Sequence, residues 1–198
     1  MDRLFRNQIQ EQTPPPEYKS QPLPSGSIQT AEFLGFLMYK IWHSKGNVLE
    51  TEIHLDQNNN VCIPGTEAWF ADFVYKARRI LKISRIPFPV IFTAFLYIAQ
   101  LRRIIPQHIG QGSEVRLLIA SLMISHKQNI DHTYKNLAWA NMTGVPLQDI
   151  NMIELDFLKG LNWQTNVASA KYKQWIAIID KLHKEYTYWR ANSEIINL

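Results

Sequence analysis

An all-α fold is predicted by three features of this sequence. Apolar residues recur at helical spacing in one segment after another, most plainly Trp69, Phe70, Phe73, Val74, Ala77, Ile80 and Leu81. Proline and glycine punctuate those segments at short intervals, at Pro87 and Pro89, Pro106, Gly110 and Gly112, then Gly144 and Pro146. Strand-like alternation is confined to a weak stretch, Thr51 to Asp56. It is followed by Asn58-Asn59-Asn60, which reads either as a hairpin turn or as a loop.

Residues 1–29 are expected to be a disordered tail. Pro14, Pro15, Pro16, Pro22 and Pro24 sit there among Gln, Ser and Lys, a composition that buries too little apolar surface to order itself. Thr13-Pro14 has the minimal spelling of a proline-directed phosphorylation site, although an incidental Thr-Pro in a tail spells the same. Residues 30–65 hold a helix and an irregular insertion. Phe33, Leu34, Leu37, Met38 and Ile41 form the helix's stripe, and it ends between His43 and Gly46.

Residues 66–163 carry five helices. Thr66 is a candidate N-cap for the first, whose Lys76, Arg78, Arg79 and Lys82 gather where a helix dipole favours cations. Pro87 and Pro89 pre-set a second, Val90 to Ile104, which Pro106 ends. Ser113 is expected to cap a third, Glu114 to Gln128. A shorter fourth starts at Asp131, His132 or Thr133 and stops at Gly144, and Pro146 opens a fifth that runs to about Leu161. Residues 164–198 add a last amphipathic helix, Ser169 to Tyr188, and a tail.

The bulk numbers narrow the class. A chain of 198 residues with 46% hydrophobic residues can bury a proper core. A net charge of +4 does not by itself call for nucleic acid. The single cysteine, Cys62, excludes an internal disulfide framework and suits a reducing compartment, so cytoplasm or nucleus is expected. The polar, proline-rich N-terminus is unlike a signal peptide, and the apolar run Val90 to Leu101 is well short of the ~20 residues needed to cross a bilayer.

The helix Glu114 to Gln128 sets the architecture. Val115, Leu117, Leu118, Ile119, Leu122, Met123 and Ile124 surround its axis instead of forming a stripe, so neighbours must bury it on all sides. Ala120, Ser121 and Ser125 let those neighbours approach closely. Two charges stand out against this apolar ground. Lys127 closes the helix. Glu154 shares a face with Ile150, Phe157 and Leu161, where a bare carboxylate is costly unless paired. Read alone, Lys127 is most simply a dipole-complementing, solvated lysine. Glu154 is either one half of an internal ion pair, a group on the edge of the stripe, or a contact for another molecule.

The residues from Thr66 to about Trp163 resemble the cyclin box, a single unit of five helices around a central one, here with one extra helix before and one after. Arg116-Leu-Leu-Ile-Ala-Ser-Leu-Met-Ile-Ser-His-Lys127 looks like its central helix. Asp131-His-Thr-Tyr134 with Trp139-Ala140, and Asp149-Ile-Asn-Met-Ile-Glu154-Leu-Asp-Phe-Leu158, look like the next two. Those last spellings are similar to the fungal P-type cyclins, the Pcl-like, phosphate-pathway branch.

The resemblance implies a regulatory subunit, not an enzyme, that activates a cyclin-dependent protein kinase as a heterodimer. The residues matching Lys127 and Glu154 would hold the kinase's C-helix by its backbone, and those matching Leu158 and Trp163 would pack on that helix. Asp131 either caps the following helix or pairs with a kinase arginine near the activation segment. Two departures stand beside these matches. The Met-Arg-Ala-Ile-Leu docking motif of mitotic cyclins is absent from Trp69 to Arg78, and the stretch after Trp163 is too short for a second box.

Other chemistry finds no support in the sequence. His43, His54, His108, His126, His132 and His183 show neither i, i+4 pairs nor Cys–His metal spacing. Gly110-Gln-Gly112 lacks the lysine and the preceding strand of a phosphate loop. No cofactor, metal, small-molecule ligand, membrane or nucleic-acid partner is expected. The alternatives are a TFIIB-like cyclin-box protein gripping DNA through Lys76, Arg78, Arg79, Lys82, Arg85, Arg102 and Arg103, or an adaptor that binds a kinase without activating it.

Overall fold

The computed structural model describes residues 26–43, 67–105 and 112–192, and every regular element among them is helical. Helix α1 spans Ile28–Met38 and continues as one widened π turn, Tyr39–His43. Then come α2 (Glu67–Ser84), α3 (Phe88–Ile104), α4 (Glu114–Asn129), α5 (Asn136–Thr143), α6 (Leu147–Gly160) and α7 (Ser169–Asn192). The expected tail up to residue 25, the insertion at 47–64, the Thr66 cap, and the breaks at Pro106 and Gly110 lie outside the described residues. The last residues assigned to the tail are ordered instead, with Ser27 capping α1 and Ile28 opening it, because the Ser27 hydroxyl accepts the Thr30 N–H at 3.1 Å.

Helix α4 is the centre. Leu117 through His126 are all buried, and α3, α6 and α2 pack around them. Small residues make this approach possible. Ser125 is fully buried, and its hydroxyl donates to the Val90 carbonyl of α3 at 2.7 Å. That bond satisfies a group which would otherwise cost free energy in an apolar interior. The flanking helices complete the same core. Phe33, Phe36, Tyr186 and Trp189 bring α1 and α7 together as an aromatic cluster, with ring centroids 5.3–5.9 Å apart. Trp175 of α7 donates to the Phe92 carbonyl of α3 at 2.7 Å. Gly35 lets α1 settle onto α2, since a Cβ there would lie 2.7 Å from the Phe70 ring.

Three local expectations need correction. Helix α5 begins at Asn136, not at residues 131–133, and the residue before it is Lys135, so Asp131 caps nothing. The cause is tertiary. The Tyr134 ring stacks on His126 at 4.8 Å and its hydroxyl donates to the Ser84 carbonyl at 3.2 Å, which holds the chain out of helix until Tyr134 is placed. Ser113 occupies the N-cap position of α4, but its side chain makes no capping bond and its own backbone is already helical. The neighbouring Glu114 carboxylate takes the Gly112 N–H instead, at 2.9 Å. Finally, α7 runs a turn beyond Tyr188, because Trp189 and Arg190 still have partners on the N-terminal half.

Candidate functional site

Lys127 is the last charged residue of α4, and Glu154 lies mid-way along α6. Helices α4 and α6 pack against each other, which brings the two groups together: Lys127 Nζ donates to Glu154 Oε1 at 2.5 Å. The side chains are 32% and 16% exposed, so the pair sits at the rim of the core with one side open to solvent. On α6 the neighbours Ile150, Phe157 and Leu161 are buried, which places Glu154 on the edge of their stripe. A carboxylate there is tolerated because both of its oxygens are hydrogen-bonded.

The second oxygen is served by a residue that the sequence did not single out. Asn136, the first residue of α5, donates to Glu154 Oε2 at 2.7 Å and accepts from Lys127 Nζ at 2.7 Å. Its amide also donates to Asn151 Oδ1, one turn earlier on α6, at 2.8 Å. Three helices therefore converge on one polar knot. The legible signal was the spacing of Asn151 and Glu154 on one face of α6, but Asn136 depends on where α5 starts.

The knot leaves unused capacity. An ammonium has three donors, and among the described residues two of Lys127's are engaged. The carboxylate oxygens keep lone pairs beyond the bonds they already accept. Around it lies apolar surface, exposed where a monomer would normally cover it: Leu147, Met152 and Leu155 on α6, which line a shallow groove with Gln148 and Asn151, and Leu137 on α5. Leu158 is half-buried against the core. Trp163 is 61% exposed, and its backbone is left-handed, φ 60, directly after Asn162 at φ 51. For a bulky residue such a conformation costs on the order of 1–3 kcal/mol. It is held by the Trp163 N–H donating to the Leu158 carbonyl at 2.9 Å. The turn keeps the largest side chain of this region outside the core.

Asp131 follows α4 in a bend, exposed, with no ion pair or hydrogen bond from its side chain among the described residues. Of the basic set of the DNA-binding alternative, Arg102 is partly buried and donates to the carbonyls of Trp42 at 3.1 Å and Ile105 at 3.4 Å, whereas Arg103 and the cations of α2 are exposed. Among the described residues no cluster of His, Cys, Asp and Glu is placed to hold a metal ion, and no helix is long and apolar enough to cross a membrane.

The family model described as Cyclin matches residues 71–165, from within α2 to beyond α6. Cyclin-U4-2 of Arabidopsis thaliana is 28% identical over 106 residues, covering 52% of this chain and 48% of that protein. PHO85 cyclin-1 of Saccharomyces cerevisiae is 33% identical over 93 residues, 45% of this chain and 33% of its own length. Cyclin-P4-1 of Oryza sativa subsp. japonica is 36% identical over 73 residues, 37% of this chain and 33% of its own. The matches thus span a third to a half of these relatives. The buried central helix and the order of its neighbours thus coincide with the span, residues 71–165, over which the chain is similar to cyclins.

Proposed function

We propose that this chain is the regulatory subunit of a cyclin-dependent protein kinase, and that the face around Lys127 and Glu154 holds the kinase's C-helix. The observation that carries this reading is the 2.5 Å pair itself, tied by Asn136, with Leu137, Met152 and Leu155 exposed on the same two helices, α5 and α6, and Trp163 exposed just after α6. The free donor of Lys127 suits a backbone carbonyl on a partner helix, and the lone pairs of Glu154 suit its N–H groups. Trp163 and the half-buried Leu158 supply apolar contact beside them. Seating the C-helix completes the lysine–glutamate pair that a kinase needs to position ATP. The chain contributes no catalytic group, since phosphoryl transfer takes place on the kinase.

Two relatives are named for PHO85, which favours a kinase of that type and the P-type, Pcl-like branch. Asp131, exposed and without a side-chain partner among the described residues, is suited to a kinase arginine near the activation segment and would lend it a fixed negative charge. Such a complex would form in the cytoplasm or nucleus.

The test is co-expression with candidate cyclin-dependent kinases, followed by pull-down with an activity readout. Lys127→Ala and Glu154→Ala should each weaken capture by about tenfold or more and abolish activation, while both variants keep the helical content of the parent. Normal capture by both variants would overturn the reading. Capture without activation would favour the adaptor.

A further inference from the structure

The exposed face of α2 carries a second feature, separate from the Lys127–Glu154 site. Tyr75, Arg78, Arg79, Lys82 and Ile83 are all exposed and fall at i, i+3, i+4, i+7 and i+8, so they form one continuous surface. Arg85 follows directly after the helix. Lys76 on this face is paired with Asp72 at 2.6 Å. Arg78, Arg79, Lys82 and Arg85 have no acidic partner among the described residues.

A helix dipole accounts for cations in the last turn, hence for Lys82, but not for Arg78 and Arg79 further back. Like charges at this spacing repel, and nothing nearby on the helix relieves them. Among these cations Tyr75 is 67% and Ile83 47% exposed. A cationic face with apolar groups set into it matches an acidic peptide that carries apolar residues of its own.

We infer that this face docks an acidic peptide segment of a partner protein. Two other occupants fit less well. From Arg78 to Arg85 the stripe is only about 10 Å long, with too few cations for the six to ten phosphate contacts typical of duplex binding. The chain's own N-terminal segment leaves beside this face, since a Cβ on Gly26 would lie 3.3 Å from Lys82 Cα. Residues 1–25 nevertheless balance Asp2, Glu11 and Glu17 against Arg3, Arg6 and Lys19, so they offer no net complement. The inference stands on α2 alone and does not rest on the kinase reading.

The experiment is fluorescence anisotropy on the full chain at low salt, with a labelled peptide of four glutamates flanking a Leu-Phe pair. The peptide should bind, and its affinity should fall about tenfold or more when its glutamates become glutamines or when the protein carries Arg78→Glu with Arg79→Glu. That double variant should instead bind the same peptide built with lysines. Lys127→Ala and Glu154→Ala should leave binding unchanged, which separates this face from the kinase site. Equal binding of the glutamine peptide, or no effect of the double variant, would overturn the inference. Tighter binding of a duplex DNA would assign the face to nucleic acid. A gain of about tenfold on changing Asp2, Glu11 and Glu17 to glutamine would assign it to the chain's own tail.

Discussion

At the scale of single residues, Asn136 does most to define the site. It meets Lys127, Glu154 and Asn151 at once, so it fixes the rotamers of both charged groups. Asn136→Ala removes the bridge and leaves the direct ion pair. The expected cost is about 1 kcal/mol in urea unfolding, with about a tenfold loss of kinase affinity in titrated pull-downs. Unchanged affinity would mean that the pair needs no third member. His126, next to Lys127, answers to pH. Burial holds its pKa below the ordinary 6.5, and its ring stacks on Tyr134. Between that lowered value and about 6.5 the unfolded chain binds more protons than the folded one, so this contribution to stability is fully present above the window and is lost as pH falls through it. Urea midpoints measured from about pH 7 down to about pH 5 should fall, and His126→Gln should flatten the slope.

At the scale of elements, the sequence disclosed type far better than boundary. The all-round apolar pattern of α4 was legible because a helix buried on every side has no polar face to hide it. Gly144 was legible as the end of α5 because its left-handed backbone, φ 75, suits glycine. Three features were not. The start of α5 depends on Tyr134 reaching Ser84, fifty positions earlier, which no local pattern encodes. The π turn at Tyr39–His43 releases the Trp42 carbonyl to Arg102 of α3, again a distant partner. Asp131 reads locally as a cap and is not one. In the candidate site, the charged pair was legible from its unusual setting. Asn136 was hidden, because an asparagine after a loop looks like any other polar residue.

At the scale of the whole molecule, the cyclin-like span is not packed alone. Helix α1 precedes residues 71–165 and α7 follows them, and both share one continuous core with that span. Charges join these two outer helices as well as rings do. Glu32 of α1 is 1% exposed, accepts the Tyr186 hydroxyl at 3.0 Å and pairs with Arg190 at 3.2 Å; Lys40 meets Glu185 at 3.0 Å. Burial, then the Glu32 charge and hydrogen bond, push the Tyr186 hydroxyl well above the ordinary tyrosine value. Glu32→Ala leaves the Tyr186 hydroxyl without this acceptor. It should lower unfolding free energy by about 2 kcal/mol, less than breaking a fully buried pair, because Arg190 can still reach water. A melt unchanged by this variant would make the clasp ornamental.

The closed knot at Lys127 and Glu154 has a kinetic corollary. Opposite charges already in contact cancel each other at a distance, so beyond a few ångströms an approaching molecule feels almost no pull from them. Encounter is therefore governed by chance collision and by fields from elsewhere on the surface, and the knot acts only after touchdown, as a slow release.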